Sequence, residues 1–162
     1  MRLFVVRHVK AGDRSRWQGP DDQRPASKPG RAQAVALADR LEPENVSALI
    51  SSPSVRCIQS VEPLADRLGL KVEVDERLAE DAPLAAVLAL AGEAPDRAVL
   101  CSHGDVIPEL IEALARRGMV VTTARDWRKA TLWVLDGSAE DRQRSGGELL
   151  FSQAAVEPPP AV

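Results

Sequence analysis

Leu3-Phe4-Val5-Val6-Arg7-His8 is the stretch that decides the fold. Four consecutive apolar residues form the short unbroken run that a strand buried on both faces requires. The run then ends abruptly on Arg7 and His8. Ala98-Val99-Leu100-Cys101-Ser102-His103-Gly104 repeats the arrangement late in the chain, a buried strand over Ala98 to Cys101 followed by a polar cluster. Val46 to Ile50, followed by Ser51-Ser52-Pro53, reads as a third strand of the same kind.

Helical patterns separate these strands. After Pro29-Gly30 a helix carries Ala34, Leu37, Ala38 and Leu41 on one face, and Pro43 stops it. A serine followed by Pro53 predicts a helix start there, with Ile58, Val61, Leu64, Ala65 and Leu68 as its apolar stripe and Gly69 as its cap. Leu70 to Val74 reads as a strand, Asp75 to Pro83 as an acidic connection and Leu84 to Ala91 as a helix. Asp105 to Arg117 is expected to be a helix facing the core with Val106, Ile107, Leu110, Ile111 and Leu114. Thr131 to Leu135 and Leu149 to Ser152 read as late strands around a polar turn at Ser145-Gly146-Gly147.

Strands alternating with helices predict an α/β fold, a three-layer sandwich with a mostly parallel central sheet flanked by helices. The 162 residues suffice for one domain, expected over 1–155, with 156–162 as a disordered, Pro-rich tail. The long polar segment from Lys10 to Gly30 reads as a functional loop.

Composition narrows the function. Hydrophobic residues make up 44% and charged residues 28%, as in ordinary globular proteins. A net charge of -3 and a 3% aromatic content argue against nucleic acid or an anionic membrane as partner. No apolar run approaches the roughly 20 residues that span a bilayer, and the N-terminus does not read as a targeting segment. Two cysteines, Cys57 and Cys101, read as buried free thiols in a reducing cytoplasm.

In a parallel sheet, ligands bind beyond the carboxyl ends of the strands. If the three strands are neighbours, Arg7, His8, Arg56 and His103 converge at one sheet edge, near helix N-termini beginning at Pro53 and Asp105. Guanidiniums bind phosphate oxygens bidentately, and helix N-termini add N–H donors. A neutral imidazole is a nucleophile toward phosphorus, and nearby cations keep it unprotonated. The set suits phosphoryl transfer without a metal or other cofactor. Two histidines at unrelated spacing among cations are a poor metal set, and Ser51 or Ser102 lacks the G-x-S-x-G elbow of a serine hydrolase. Glu80 and Asp81 are the carboxyls placed to protonate a leaving group, and the pattern alone leaves the choice open.

Val6-Arg7-His8, Ser51-Ser52-Pro53-Ser54-Val55-Arg56 and Ser102-His103-Gly104, in this order, resemble the histidine phosphatase, or phosphoglycerate mutase-like, superfamily. The resemblance implies a metal-independent phosphatase in which His8 becomes phosphorylated, Arg7, Arg56 and His103 hold the phosphate, and Glu80 is the better match for the proton donor. Val9 departs from the family's Arg-His-Gly and argues against the mutase branch. The segments Arg7 to Gly12, Arg14-Ser15-Arg16, Arg24-Pro25 and Lys28 to Ala34 are similar to the histidine-phosphatase domain of actinobacterial MutT-type Nudix proteins and, more distantly, to SixA-type phosphohistidine phosphatases.

Lys10, Arg14, Arg16 and Arg24 crowd the loop after His8, either as a solvated surface or as the site of a second phosphate or nucleotide diphosphate. Trp17 is placed to cover the loop or to stack on a base. The expected substrate is a nucleotide di- or triphosphate or another small phosphorylated compound. The alternatives are a phosphohistidine on a partner protein, or phosphate binding without turnover.

Overall fold

The computed structural model describes residues 1–147 and 150–162, without the side chain of residue 142. In chain order its elements are β1 (Arg2–Arg7), α1 (Lys28–Leu41), β2 (Ala48–Ser51), α2 (Val55–Leu68), β3 (Val72–Val74), α3 (Leu84–Glu93) and β4 (Ala98–Ser102). They continue with α4 (Val106–Arg116), β5 (Val120–Val121), β6 (Leu132–Asp136), α5 (Ala139–Arg144) and β7 (Gln153–Glu157). One sheet runs in the order β3-β2-β4-β1-β6-β7-β5. β3, β2, β4 and β1 are mutually parallel, β6 is antiparallel to β1, and β7 is antiparallel to β6. The expected α/β sandwich with a mostly parallel sheet is the fold observed.

Strand alternation explains the unbroken apolar run of β1. Leu3 and Val5 face one core with Leu100, Trp133, Ile107 and Ile111, while Phe4 and Val6 face the other with Leu49, Val99, Leu37 and Leu64. Each strand face is therefore covered by helices, α3 and α4 on one side and α1 and α2 on the other. Among the described residues no helix is long and apolar enough to cross a membrane.

Register places the polar clusters side by side. Arg7 lies opposite Ser102 in the β1–β4 pair, and Ser51 lies opposite Cys101 in the β2–β4 pair. The chain therefore leaves three neighbouring strands at one level, at Arg7-His8, Ser51-Ser52 and Ser102-His103.

Several boundaries differ from those expected. α2 begins at Val55 rather than at Pro53, with Ser54 as N-cap. The Ser52 hydroxyl is bound to His103 instead of capping a helix. α1 begins earlier, at Lys28, because the Ser27 hydroxyl caps it through the Gly30 N–H at 3.1 Å. The last strand is Gln153–Glu157, not Leu149–Ser152; Leu149 lies outside the described residues. It runs past the expected domain boundary at 155. Beyond it, Pro158 to Pro160 share a cavity with Ala36, Leu37 and Arg40 of α1, and Glu157 pairs with Arg40 at 2.7 Å. Ser145-Gly146-Gly147 form the expected turn, and the unexpected α5 precedes it, started by a capping box between Ser138 and Asp141.

Candidate active site

His8 follows β1 directly, and its N–H donates to the Ser102 carbonyl at 3.0 Å. Its ring is 4% exposed, with Nδ1 2.8 Å from the Val9 carbonyl oxygen. A carbonyl only accepts, so Nδ1 carries the proton and Nε2 keeps its lone pair. Burial, and then the nearby His103, Arg56 and Arg7, push the His8 pKa down to about 3. Near neutral pH His8 is thus an uncharged imidazole with one basic nitrogen, the form a nucleophile needs.

Val9 fits without disturbing this end of the strand. Its side chain is fully buried in the α1–α2 core, and its N–H donates to Ser60 Oγ at 3.0 Å.

His103 stands at the matching end of β4, its ring centroid 5.4 Å from that of His8 at an interplanar angle of 64°. His103 Nε2 is 2.8 Å from Ser52 Oγ, and its buried Nδ1 makes no hydrogen bond. Ser102 ties the same strand end to the next loop, its hydroxyl donating to the Leu78 carbonyl at 2.7 Å. Two residues on, Glu80 Oε1 lies 3.2 Å from Arg14, 3.3 Å from Arg56 and 3.8 Å from His103 Nδ1. Asp81, in the left-handed region at φ 62°, donates its N–H to Asp105 at 2.7 Å, which fixes the turn carrying Glu80.

Arg56 is fully buried in the first turn of α2 and donates to the Asp21 carbonyl at 2.8 Å and to its carboxylate at 3.1 Å. Arg7 donates to the Trp127 carbonyl and lies over Gly104. Burial holds its guanidinium below the ordinary arginine range. The Nε atoms of both arginines are buried without a hydrogen-bond partner.

A cavity of about 680 Å³ opens in front of these groups, with Arg7, His8, Arg14, Arg24, Glu80 and Lys129 in its lining. Arg56 and His103 are not part of that lining; Arg56 pairs with Glu80 and Asp21, and His103 Nδ1 lies 3.8 Å from Glu80. Such a volume is that of sites taking whole small molecules. The expected four central residues and Glu80 are therefore brought together.

The four loop cations are not one group. Arg14 and Arg24 line this cavity, and Lys10 lines a neighbouring one. Arg16 lines neither, and its side chain is 88% exposed beside Asp13. Arg24 braces the loop by donating to the Gly12 carbonyl at 2.7 Å and to Asp21 at 3.0 Å. Trp17 donates its indole N–H to the Pro20 carbonyl at 2.9 Å and lines a smaller recess with Arg14 and Glu80.

Two residues were not anticipated. Asp21 gathers Arg14, Arg24 and Arg56, but nothing in a polar loop distinguishes it from its neighbours. Lys129 precedes an antiparallel strand, so the start of β6, not its end, meets the site. A search of carboxyl ends of parallel strands passes over it.

Two buried imidazoles and two guanidiniums thus gather at the carboxyl edge of a parallel sheet, in a fold of the phosphoglycerate mutase-like class. The family model described as the histidine phosphatase superfamily (branch 1) matches residues 3–82. Residues 3–82 thus match that superfamily. It is 39% identical over 155 residues to the 8-oxo-(d)GTP phosphatase of Mycolicibacterium smegmatis, across 91% of this chain and 47% of that protein. The chain thus spans about half the length of that relative. The mycobacterial glucosyl-3-phosphoglycerate phosphatase is similar in structure, with a TM-score of 0.65 and 26% identity over 88% of this chain and 93% of the other. The protein histidine phosphatase SixA complexed with tungstate shares the fold, with a TM-score of 0.67 and 19% identity over 87% of this chain and 91% of the other.

Proposed function

We infer that this protein hydrolyses nucleoside di- or triphosphates through a phosphohistidine on His8. The observation carrying this reading is the buried His8 ring, its Nδ1 2.8 Å from the Val9 carbonyl oxygen and the ring near His103, Arg56 and Arg7. In the first step Nε2 attacks phosphorus, the bond to the leaving oxygen breaks, and that oxygen takes a proton from Glu80 acting as general acid. Arg7, Arg56 and His103 hold the three equatorial oxygens. In the second step Glu80 takes a proton from water, the oxygen attacks phosphorus, the P–N bond breaks, and phosphate leaves.

Glu80 now meets donors of Arg56 and lies near His103. Entering phosphate oxygens take over those donors and turn the carboxyl toward the leaving group. The nucleotide preference draws on the relative named for 8-oxo-(d)GTP, and the chemistry needs no metal or other cofactor. Buried, unpaired Cys57 and Cys101 suit a cytoplasmic setting.

Phosphate release from p-nitrophenyl phosphate and from a panel of nucleotides, in EDTA, tests the reading. Turnover by the wild type, abolished in His8→Ala, is expected, with acid-labile phosphate on the protein in a rapid quench. Phosphate binding without turnover would reduce the site to a binding module.

A further inference from the structure

The cations of the site differ in whether a carboxylate meets them. Asp21 and Glu80 pair with Arg14, Arg24 and Arg56 at 3.0 to 3.3 Å. Asp13 pairs with Arg16, and Asp126 with Arg128. Arg7, Lys10 and Lys129 form no ion pair among the described residues.

These three also lie together. Arg7 and Lys129 line both the cavity before His8 and its neighbour of about 580 Å³, and Lys10 lines that neighbour together with Pro159 and Pro160. Backbone bonds hold Lys129 at the shared rim. The Ala130 N–H donates to the Arg7 and His8 carbonyls, both at 3.1 Å, and the Arg7 N–H donates to the Thr131 carbonyl at 3.2 Å. Ala130 adopts φ 65°, a left-handed conformation costing an L-residue about 1–2 kcal/mol. Strain of this kind persists only where the surroundings impose it. Burial, with Arg7, Arg24, Arg56 and Arg14 nearby, pushes the Lys129 ammonium below its ordinary range. A half-buried cation without a counter-charge gains more from an arriving anion than one already paired.

We propose that Lys129, with Lys10 and Arg7, forms a second anion subsite that holds the phosphate adjoining the one attacked, so that the site selects phosphoanhydrides over simple phosphomonoesters. This rests on His8 attacking the terminal phosphate. It moves the second phosphate from the loop arginines, which carboxylates already satisfy, to the junction of β1 and β6.

Two measurements on the full chain test it. For turnover, kcat/KM is compared on GDP and on p-nitrophenyl phosphate in the wild type, Lys129→Gln, Lys129→Arg and Lys10→Gln. Lys129→Gln should lose about tenfold more on GDP than on the monoester, with partial rescue by Lys129→Arg. Equal losses on both substrates overturn the subsite. For binding, calorimetry on His8→Ala compares pyrophosphate with orthophosphate, with and without Lys129→Gln. Pyrophosphate should weaken by about tenfold more than orthophosphate, and equal weakening again overturns the subsite. If the wild type releases no phosphate from any substrate, the phosphatase reading fails, yet the calorimetric comparison still decides whether the second anion is held.

Discussion

A Cβ on Gly104 would lie 2.6 Å from Cζ of Arg7 and 2.8 Å from its terminal nitrogen, so the glycine is the floor on which that guanidinium rests. The Trp127 carbonyl holds the guanidinium in place. Gly104→Ala therefore displaces Arg7 while leaving the apolar cores intact. The expected result is a loss of about ten- to hundredfold in kcat/KM. Differential scanning fluorimetry should show little change in Tm. Wild-type kinetics in this variant would mean that Arg7 is free to move.

The depressed His8 pKa predicts a pH-dependent stability. An unfolded histidine titrates near about 6.5, whereas folded His8 titrates at about 3. Between these values the unfolded chain binds a proton that the native chain refuses, so stability is full above the upper value and falls as pH drops below it. Urea denaturation should show that lowering the pH from about 7.5 to about 5 costs the wild type about 2 kcal/mol more than His8→Gln. An identical pH dependence in the two proteins would place His8 in a solvated environment.

Arg14 and Arg16 carry the same charge but differ in contact. Arg14 meets Glu80 and Asp21, while Arg16 projects into solvent beside Asp13. Arg14→Ala should reduce kcat/KM by about three- to tenfold through a less well-placed Glu80. Arg16→Ala should stay within about twofold, as exposed pairs contribute little. Steady-state kinetics on one preferred nucleotide distinguishes them, and equal effects would contradict the placement.

Two backbone positions should respond oppositely to substitution. A Cβ on Gly30 would meet the Lys10 carbonyl oxygen at 1.8 Å, so Gly30→Ala should destabilise by about 3 kcal/mol. Ala130 already pays for its positive φ, and Ala130→Gly should stabilise by about 0.5–1 kcal/mol. Chemical denaturation of both variants checks the pair. Loss of stability in Ala130→Gly would show that its methyl, buried in the α1–α2 core, outweighs the backbone strain.

Local patterns disclosed most of the architecture. β1, β2 and β4 are legible because burial on both faces leaves an unbroken apolar run, and the polar residue that follows marks the sheet edge. Arg7, His8, Arg56 and His103 were legible for the same reason. What depended on distant partners was not. Ser52 looked like a helix cap until His103 claimed its hydroxyl, and Arg16 looked equivalent to Arg14 until Glu80 and Asp21 distinguished them. β5, with two residues, carries no periodic signal, and Lys129 enters along the strand that runs against the others.

Three buried nitrogens of the site that have no hydrogen-bond partner among the described residues, Nε of Arg7, Nε of Arg56 and Nδ1 of His103, bind the protein's durability to the site's occupancy. Donors of this kind are costly to bury unmet, and an oxyanion that satisfies them favours the folded chain alone. Phosphate at about a hundred times its dissociation constant adds about 2.7 kcal/mol to the unfolding free energy. Under the proposed function that anion is also the product, which should therefore protect the protein from heat and proteolysis while it competes with substrate.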